Sequence, residues 1–232
     1  MVGQELQVPG AALKILLFGA TGTAGGSVLR LCLSTPEVAA VRAVLRRPPA
    51  VSHDKLRVLI HKNYLDYTAI ESAFVDVDAC FFCLGISVSQ VSGEEGYRTI
   101  TRDFAVAAAR MLRAQSPRAV FHYISGQGAA LDSRFMWARV KAETEVELID
   151  VFDAVCWRPG FIDGAASANA PRVYQWVRPA FRVLKPFRSV YVSGEDIGRA
   201  MLQATKDGVR GRVLDNAELR DIADRWRAAV PK

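Results

Sequence analysis

The chain has 232 residues, half of them hydrophobic, and carries a net charge of +6. That length and apolar share suit one α/β domain with a sizeable core, and no low-complexity tract breaks it. A modest positive charge favours anionic ligands, but without an RNA- or DNA-binding motif it gives no ground for expecting nucleic acid.

Residues 1–12 have neither the basic start nor the apolar stretch of a signal peptide and read as a flexible tail before a single domain spanning 13–232. Polar residues interrupt each later apolar run before it reaches the roughly 18–20 residues of a membrane span. Cys32, Cys80, Cys83 and Cys156 form no disulfide framework. Together these features predict a cytoplasmic protein.

The first strand, Leu13–Phe18, runs directly into Gly19-Ala20-Thr21-Gly22-Thr23-Ala24-Gly25-Gly26 and a helix over Gly26–Ser34. Strand, Gly-x-x-Gly-x-x-Gly turn and helix start are the layout of a dinucleotide-phosphate site. The glycines let the backbone turn sharply, and a pyrophosphate can rest on the N–H groups of the helix N-terminus. Strands follow at Val41–Leu45, Leu56–Ile60, Ala79–Leu84, Ala119–Ile124 and Ala154–Trp157, with helices at Tyr67–Phe74, Glu95–Gln115 and Phe135–Ile149. Strands apolar on both faces and separated by helices predict an α/β, doubly wound parallel Rossmann sheet with helices on both faces.

The second strand ends Val44-Leu45-Arg46-Arg47, and no acid lies between Glu37 and Asp54. An acid here would bond the ribose hydroxyls of NAD, whereas guanidinium groups suit the 2′-phosphate of NADP. The expected cofactor is therefore NADP(H) in preference to NAD(H). Cys80 and Cys83 have metal or redox spacing, but residues three apart on a strand point to opposite faces, so no metal site is expected. His53, His61 and His122 do not converge and read as structural.

After Pro159-Gly160 the pattern weakens into a small C-terminal lobe: a loop at Ala165–Ala170, an apolar, arginine-bearing stretch at Val173–Leu184, and closing helices at Asp196–Lys206 and Asn216–Val230. The cations of 172–188 read as a surface helix snorkelling its arginines over an apolar face. Peripheral membrane contact, or a lid over an anionic substrate, is the alternative.

The glycine turn, Ser125 at a strand end and the helix carrying Lys141 resemble the short-chain dehydrogenase/reductase superfamily. Arg158-Pro159-Gly160 and Val190–Ile197 resemble its extended and atypical branches. Cys83-Leu84-Gly85, Glu95-Gly96-Tyr97 through Arg102-Asp103-Phe104, and Val140-Lys141-Ala142-Glu143 are similar to the Tat-interacting oxidoreductase-like subfamily. The resemblance implies that Gly19, Thr21, Gly22, Thr23, Ala24 and Gly25 surround the pyrophosphate. By the same resemblance Gly85 passes the adenosine, Asn63-Tyr64 flank the adenine, and the backbone at Pro159, Gly160 and Phe161 approaches the nicotinamide.

In this superfamily the proton donor is a Tyr four residues before the Lys, on the same helix face, with a Ser nearby. Here Lys141 and Ser125 are present, but the matching residue is Trp137. An indole donates a hydrogen bond yet does not titrate usefully. The resulting expectation is an NADP(H)-binding protein that is a weak or non-standard oxidoreductase or a redox-responsive regulatory binder, slow toward aldehydes, ketones and quinones. One alternative is an active reductase or epimerase-like enzyme whose proton comes from Tyr123, Tyr97 or a water held by Ser125. Another is a partner-binding Rossmann module without cofactor. A small-molecule or protein partner and the oligomeric state stay open.

Overall fold

The computed structural model describes residues 12–164 and 185–229. The expected loop at Ala165–Ala170, the stretch Val173–Leu184 and most of the tail lie outside them. Seven parallel strands form one sheet: β1 (Leu13–Phe18), β2 (Val38–Leu45), β3 (Leu56–Ile60), β4 (Ala79–Phe82), β5 (Val120–Ile124), β6 (Val155–Trp157) and β9 (Arg212–Leu214). Their order is β3-β2-β1-β4-β5-β6-β9, so the chain reverses direction across the sheet between β1 and β4. This is the doubly wound Rossmann architecture expected from the sequence.

Both faces of the sheet are covered, which is why its strands are almost wholly apolar. On one face Ile15 and Leu17 of β1 and Phe81 of β4 pack under α1 (Thr23–Ser34), α5 (Gly194–Lys206) and α6 (Asn216–Ala229). On the other, Leu16, Phe18, Cys80 and Phe82 pack under α3 (Phe104–Gln115) and α4 (Met136–Phe152). Cys80 and Cys83 therefore belong to opposite layers, as strand alternation requires.

Several boundaries differ from expectation. β2 begins at Val38, and β4 ends at Phe82, because beyond it the chain turns away beneath the glycine loop. Thr68–Phe74 is a tight 3₁₀ segment rather than an α-helix, entered through Asp66, whose carboxylate accepts from the Thr68 N–H at 2.9 Å. The single helix expected over Glu95–Gln115 is α2 (Gly93–Arg98), a wider π turn at Thr99–Asp103, then α3. That turn lets Arg98 and Arg102 both reach α4, where they pair with Glu143 and Glu147. Such half-exposed pairs contribute little stability each but fix how the two helices face each other.

Three short strands carried too little sequence pattern to be read in advance. β7 (Phe161–Asp163) and β8 (Tyr191–Ser193) form a small parallel sheet of their own, while β9 joins the main sheet beside β6. Asn216, at the start of α6, ties these pieces together. Its amide oxygen accepts from the Gly160 N–H at 2.7 Å, and its amide nitrogen donates to the carbonyls of Arg188 at 2.6 Å and Tyr191 at 3.0 Å. Glycines let α1 and this region touch: a Cβ at Gly194 would lie 2.5 Å from Ser27 Cβ, and one at Gly198 would lie 2.7 Å from Leu31 Cδ2.

Asn216→Ala removes the amide from the part-buried Gly160 N–H and Arg188 carbonyl and from the buried Tyr191 carbonyl. The expected cost is about 2–3 kcal/mol, read as a lower urea midpoint with an unchanged slope. An unchanged midpoint would show that water replaces the amide without loss.

Candidate functional site

The candidate site lies at the C-terminal edge of the sheet, at the β1/β4 reversal, where open α/β sheets place ligands. Gly19 is left-handed, with φ +76°, and a Cβ there would sit 2.5 Å from the carbonyl oxygen of Cys83. A Cβ at Gly25 would sit 2.2 Å from the Gly19 oxygen. These two glycines are thus required by the fold itself. Gly22 is different: the nearest atom to its Cβ would be the Gly19 oxygen at 3.3 Å, so its other side stays open. No side chain caps α1 and no acid lies in its first turn. Its leading N–H groups therefore have neither an internal partner nor a repelling carboxylate.

Around this turn the remaining residues separate. Thr21, Arg46, Arg47, Asn63 and Gly85 are exposed at the sheet edge, and a Cβ at Gly85 would meet nothing within 4 Å. The Arg46 charge acts on the Tyr64 hydroxyl, although burial dominates and raises the Tyr64 pKa. The Tyr64 ring itself is committed to the core, stacked on Phe104 at 5.4 Å and edge-on to Phe18. Of the Asn63-Tyr64 pair, only Asn63 is left at the surface. Gly160 is held by protein contacts, since a Cβ there would lie 2.3 Å from the Val190 oxygen. Phe161 continues from it into β7 and stacks on Tyr191 at 6.5 Å.

The second half of the site is built on α4 and the end of β5. Lys141 and Trp137 stand one helical turn apart and line a pocket of about 270 Å³ with Ile86, Ser87, Val88 and Tyr97. The Lys141 ammonium donates to the carbonyl oxygen of Ser125. Ser125 Oγ is buried and has no hydrogen-bond partner among the described residues. A buried hydroxyl left unpaired is uncommon and points to a group that arrives from outside the chain. Burial lowers the Lys141 pKa to about 8, against the opposing field of Glu145 four residues on. Glu145 is itself buried and held side-on by one edge of the Arg158 guanidinium, at 2.9 Å from Nε and 2.5 Å from Nη2. Sequence reasoning missed this pair. The spacing of Lys141 and Glu145 was visible, but nothing local told that Arg158 would meet Glu145.

Of the two tyrosines considered as substitute donors, only Tyr97 reaches the pocket. Tyr123 is wholly buried and its hydroxyl donates to the Thr101 carbonyl at 3.3 Å. The histidines are structural. His122 accepts from Trp157 Nε1 at 3.1 Å and pairs with Thr205 Oγ1 at 3.0 Å, while His61 Nε2 meets the carbonyls of Asn63 and Asp66. Among the described residues no cluster of His, Cys, Asp and Glu has metal-binding geometry, and no helix is long and apolar enough to cross a membrane. Of the basic stretch 172–188, residues 185–188 are described, and Arg188 is paired with Asp221 and Asp224 at 2.7 Å each.

No family model matches the chain. It is 23% identical over 217 residues to the mitochondrial protein FMP52 of Candida albicans, covering 88% of this chain and 92% of that one. It is 25% identical over 154 residues to HTATIP2 of Rattus norvegicus, covering 64% and 62%. The chain is thus similar to FMP52 and HTATIP2 in sequence. Its fold matches a short-chain dehydrogenase family protein of Francisella tularensis with a TM-score of 0.65 at 13% identity, over 88% and 96% of the two chains. It also matches the Bordetella bronchiseptica enzyme WbmF, solved in complex with NAD+, with a TM-score of 0.68 at 16% identity, over 95% and 79%. The resemblance read from the sequence motifs is borne out. The cytoplasmic expectation is not, because the FMP52 relatives are named mitochondrial. Cysteine usage and the lack of an apolar span are shared by both compartments, so neither feature could tell them apart.

The lowered Lys141 pKa is directly measurable. In isotopic reductive methylation this lysine is expected to titrate near pH 8, well below the ordinary range of about 10.4, and to be protected by NADPH. At pH values between these two, the folded state binds fewer protons at this site than the unfolded chain does. Apoprotein stability should therefore rise with pH across that window, and Lys141→Met should remove that part of the rise. A Lys141 that titrates with the other lysines would show that its ammonium is fully hydrated.

Proposed function

We propose that the protein binds NADP(H) at the β1/β4 edge and, with Trp137 where a proton donor would stand, is a weak or non-standard oxidoreductase or a redox-responsive binder. The observation that carries this reading is the combination of the open Gly22 turn with the buried Ser125 Oγ, unpartnered among the described residues, on the same edge of the sheet. Gly19, Thr21, Gly22, Thr23, Ala24 and Gly25 hold the pyrophosphate on the free N–H groups of α1. Arg46 and Arg47 meet the 2′-phosphate with paired, charge-assisted bonds. Asn63 and Gly85 border the adenosine, and Pro159, Gly160 and Phe161 border the nicotinamide. When bound, the dinucleotide supplies hydride chemistry to this edge.

The chain's own residues then divide the remaining work. Lys141, anchored on the Ser125 carbonyl and electrostatically supported by Glu145, holds positive charge beside the nicotinamide ribose and the reacting oxygen. Ser125 Oγ gives a hydrogen bond to the same region. Trp137 fills the volume of the missing phenol and excludes water without releasing a proton. General acid catalysis is worth about 10²–10⁴-fold, so its absence slows reduction of ordinary carbonyls by that order. One observation favours a second reading: Tyr97 lines the pocket and carries the only phenol there among the described residues, so it is the alternative donor. The mitochondrial naming of the FMP52 relatives supports a mitochondrial placement for this chain.

Calorimetric titration is expected to show tighter binding of NADPH than of NADH, with the preference lost in Arg46→Ala/Arg47→Ala. Gly22→Asp, whose Cβ the fold nearly accommodates, should abolish both by placing a carboxylate against the pyrophosphate. Equal affinity for the two dinucleotides would remove the role given to Arg46 and Arg47. Fast aldehyde turnover that Tyr97→Phe abolishes would move the proton to Tyr97. Turnover restored by Trp137→Tyr would confirm that only the phenol is missing.

A further inference from the structure

The pocket beside Lys141 has an unusual lining for a site that is to reduce a carbonyl. Among the described residues its walls are two aliphatic side chains, Ile86 and Val88, two aromatic rings, Tyr97 and Trp137, one hydroxyl, Ser87, and the Lys141 ammonium. No carboxylate or guanidinium lines it, so a sugar nucleotide or an organic acid finds no second charged anchor there. The aromatic surface continues outward. Phe135 stacks on Trp137 with ring centroids 6.4 Å apart and planes 23° apart, yet 66% of Phe135 is exposed. Val88, across the pocket, is 43% exposed. An exposed phenylalanine stacked on a pocket tryptophan is a flat apolar platform with its outer face uncovered.

The missing acid narrows the chemistry further. Hydride transfer to an aldehyde or ketone leaves an alkoxide, whose conjugate acid is about as weak as water at a pKa of about 15.7. Such a product needs a proton delivered as it forms. Hydride transfer to a quinone leaves a phenolate, whose conjugate acid has a pKa of about 10. That anion survives until water protonates it, and a neighbouring ammonium stabilises it meanwhile. A site where Trp137 stands in place of the usual tyrosine beside Lys141 suits the second product better than the first.

We propose that this pocket takes planar conjugated diketones of the quinone class, stacked on Trp137 and Phe135 with one oxygen near Lys141. The inference rests on the reading that the protein binds NADPH. The C–H bond at the reduced nicotinamide breaks and an O–H bond forms at one quinone oxygen. The electron pair aromatises the ring and leaves negative charge on the other oxygen, which takes its proton from water, while the nicotinamide is oxidised. Quinones are thereby set apart from the aldehydes and ketones with which the sequence groups them.

The test uses the whole protein and 2,3-dimethyl-1,4-naphthoquinone, whose methylated ring carbons do not add thiols. In the presence of NADP+, where no reduction occurs, the quinone is expected to quench tryptophan fluorescence. Phe135→Ala should raise its dissociation constant about tenfold, as loss of one stacked ring predicts, with NADPH affinity unchanged. With NADPH, kcat/KM for the naphthoquinone should exceed that for decanal by about 10²-fold. NADPH binding without quenching, quenching insensitive to Phe135→Ala, or decanal reduced as fast as the quinone would each overturn the inference. Failure to bind NADPH at all would instead overturn the proposed function beneath it.

Discussion

The approach of the first turn to the fourth strand is the constraint on which the rest of the molecule depends. With Gly25 against the Gly19 carbonyl and Gly19 against the Cys83 carbonyl, α1 lies as close to the sheet as backbones allow. From that position α1 carries α5, whose Gly194 and Gly198 lie against Ser27 and Leu31. α5 and α6 in turn complete the apolar layer over that face of the sheet. A single side chain at Gly19 or Gly25 would lift the helix and uncover the layer beneath it. The same closeness leaves the uncapped α1 N-terminus open at the sheet edge.

The opposite layer carries the pocket walls. α4 presents Trp137, Lys141 and Glu145 at successive turns, each in a different environment: a pocket wall, a half-buried ammonium and a buried carboxylate. Arg158, at the start of the Arg-Pro-Gly turn, meets the buried Glu145 carboxylate side-on through Nε and Nη2 of its guanidinium. A carboxylate buried without that partner would cost several kcal/mol. The turn that leads toward β7 is thereby joined electrostatically to the helix that carries the lysine. Ion pairs between α4 and the helices at Gly93–Gln115 then set the wall that holds Tyr97.

Much of the architecture was legible because its signals are local. Strands buried on both faces read as unbroken apolar runs, and Leu13–Phe18 and Leu56–Ile60 appear with the bounds their composition suggests. The glycine turn was legible because left-handed backbone and close packing admit almost no other residue. Elements of three residues, such as Tyr191–Ser193 and Arg212–Leu214, were not legible, since their pairing and not their composition makes them strands. The π turn at Thr99–Asp103 was hidden for a related reason. It coincides with the contacts of Arg98 and Arg102 to a second helix, and a continuous helical pattern looks the same with or without it.

At the site, the sequence by itself determined the doubly wound class of the sheet, the glycine turn and the replacement of the expected tyrosine by Trp137. These are properties of residue type and spacing, which the backbone reads locally. Only the tertiary structure decided that Tyr64 belongs to the core, that Tyr97 and not Tyr123 faces the pocket, and that Ser125 Oγ is left without a partner among the described residues. It alone brought Arg158 to Glu145 and Asn216 to Gly160. Those outcomes depend on contacts between residues 13 to 56 positions apart, and no local pattern records which distant side chain will satisfy a buried charge or amide.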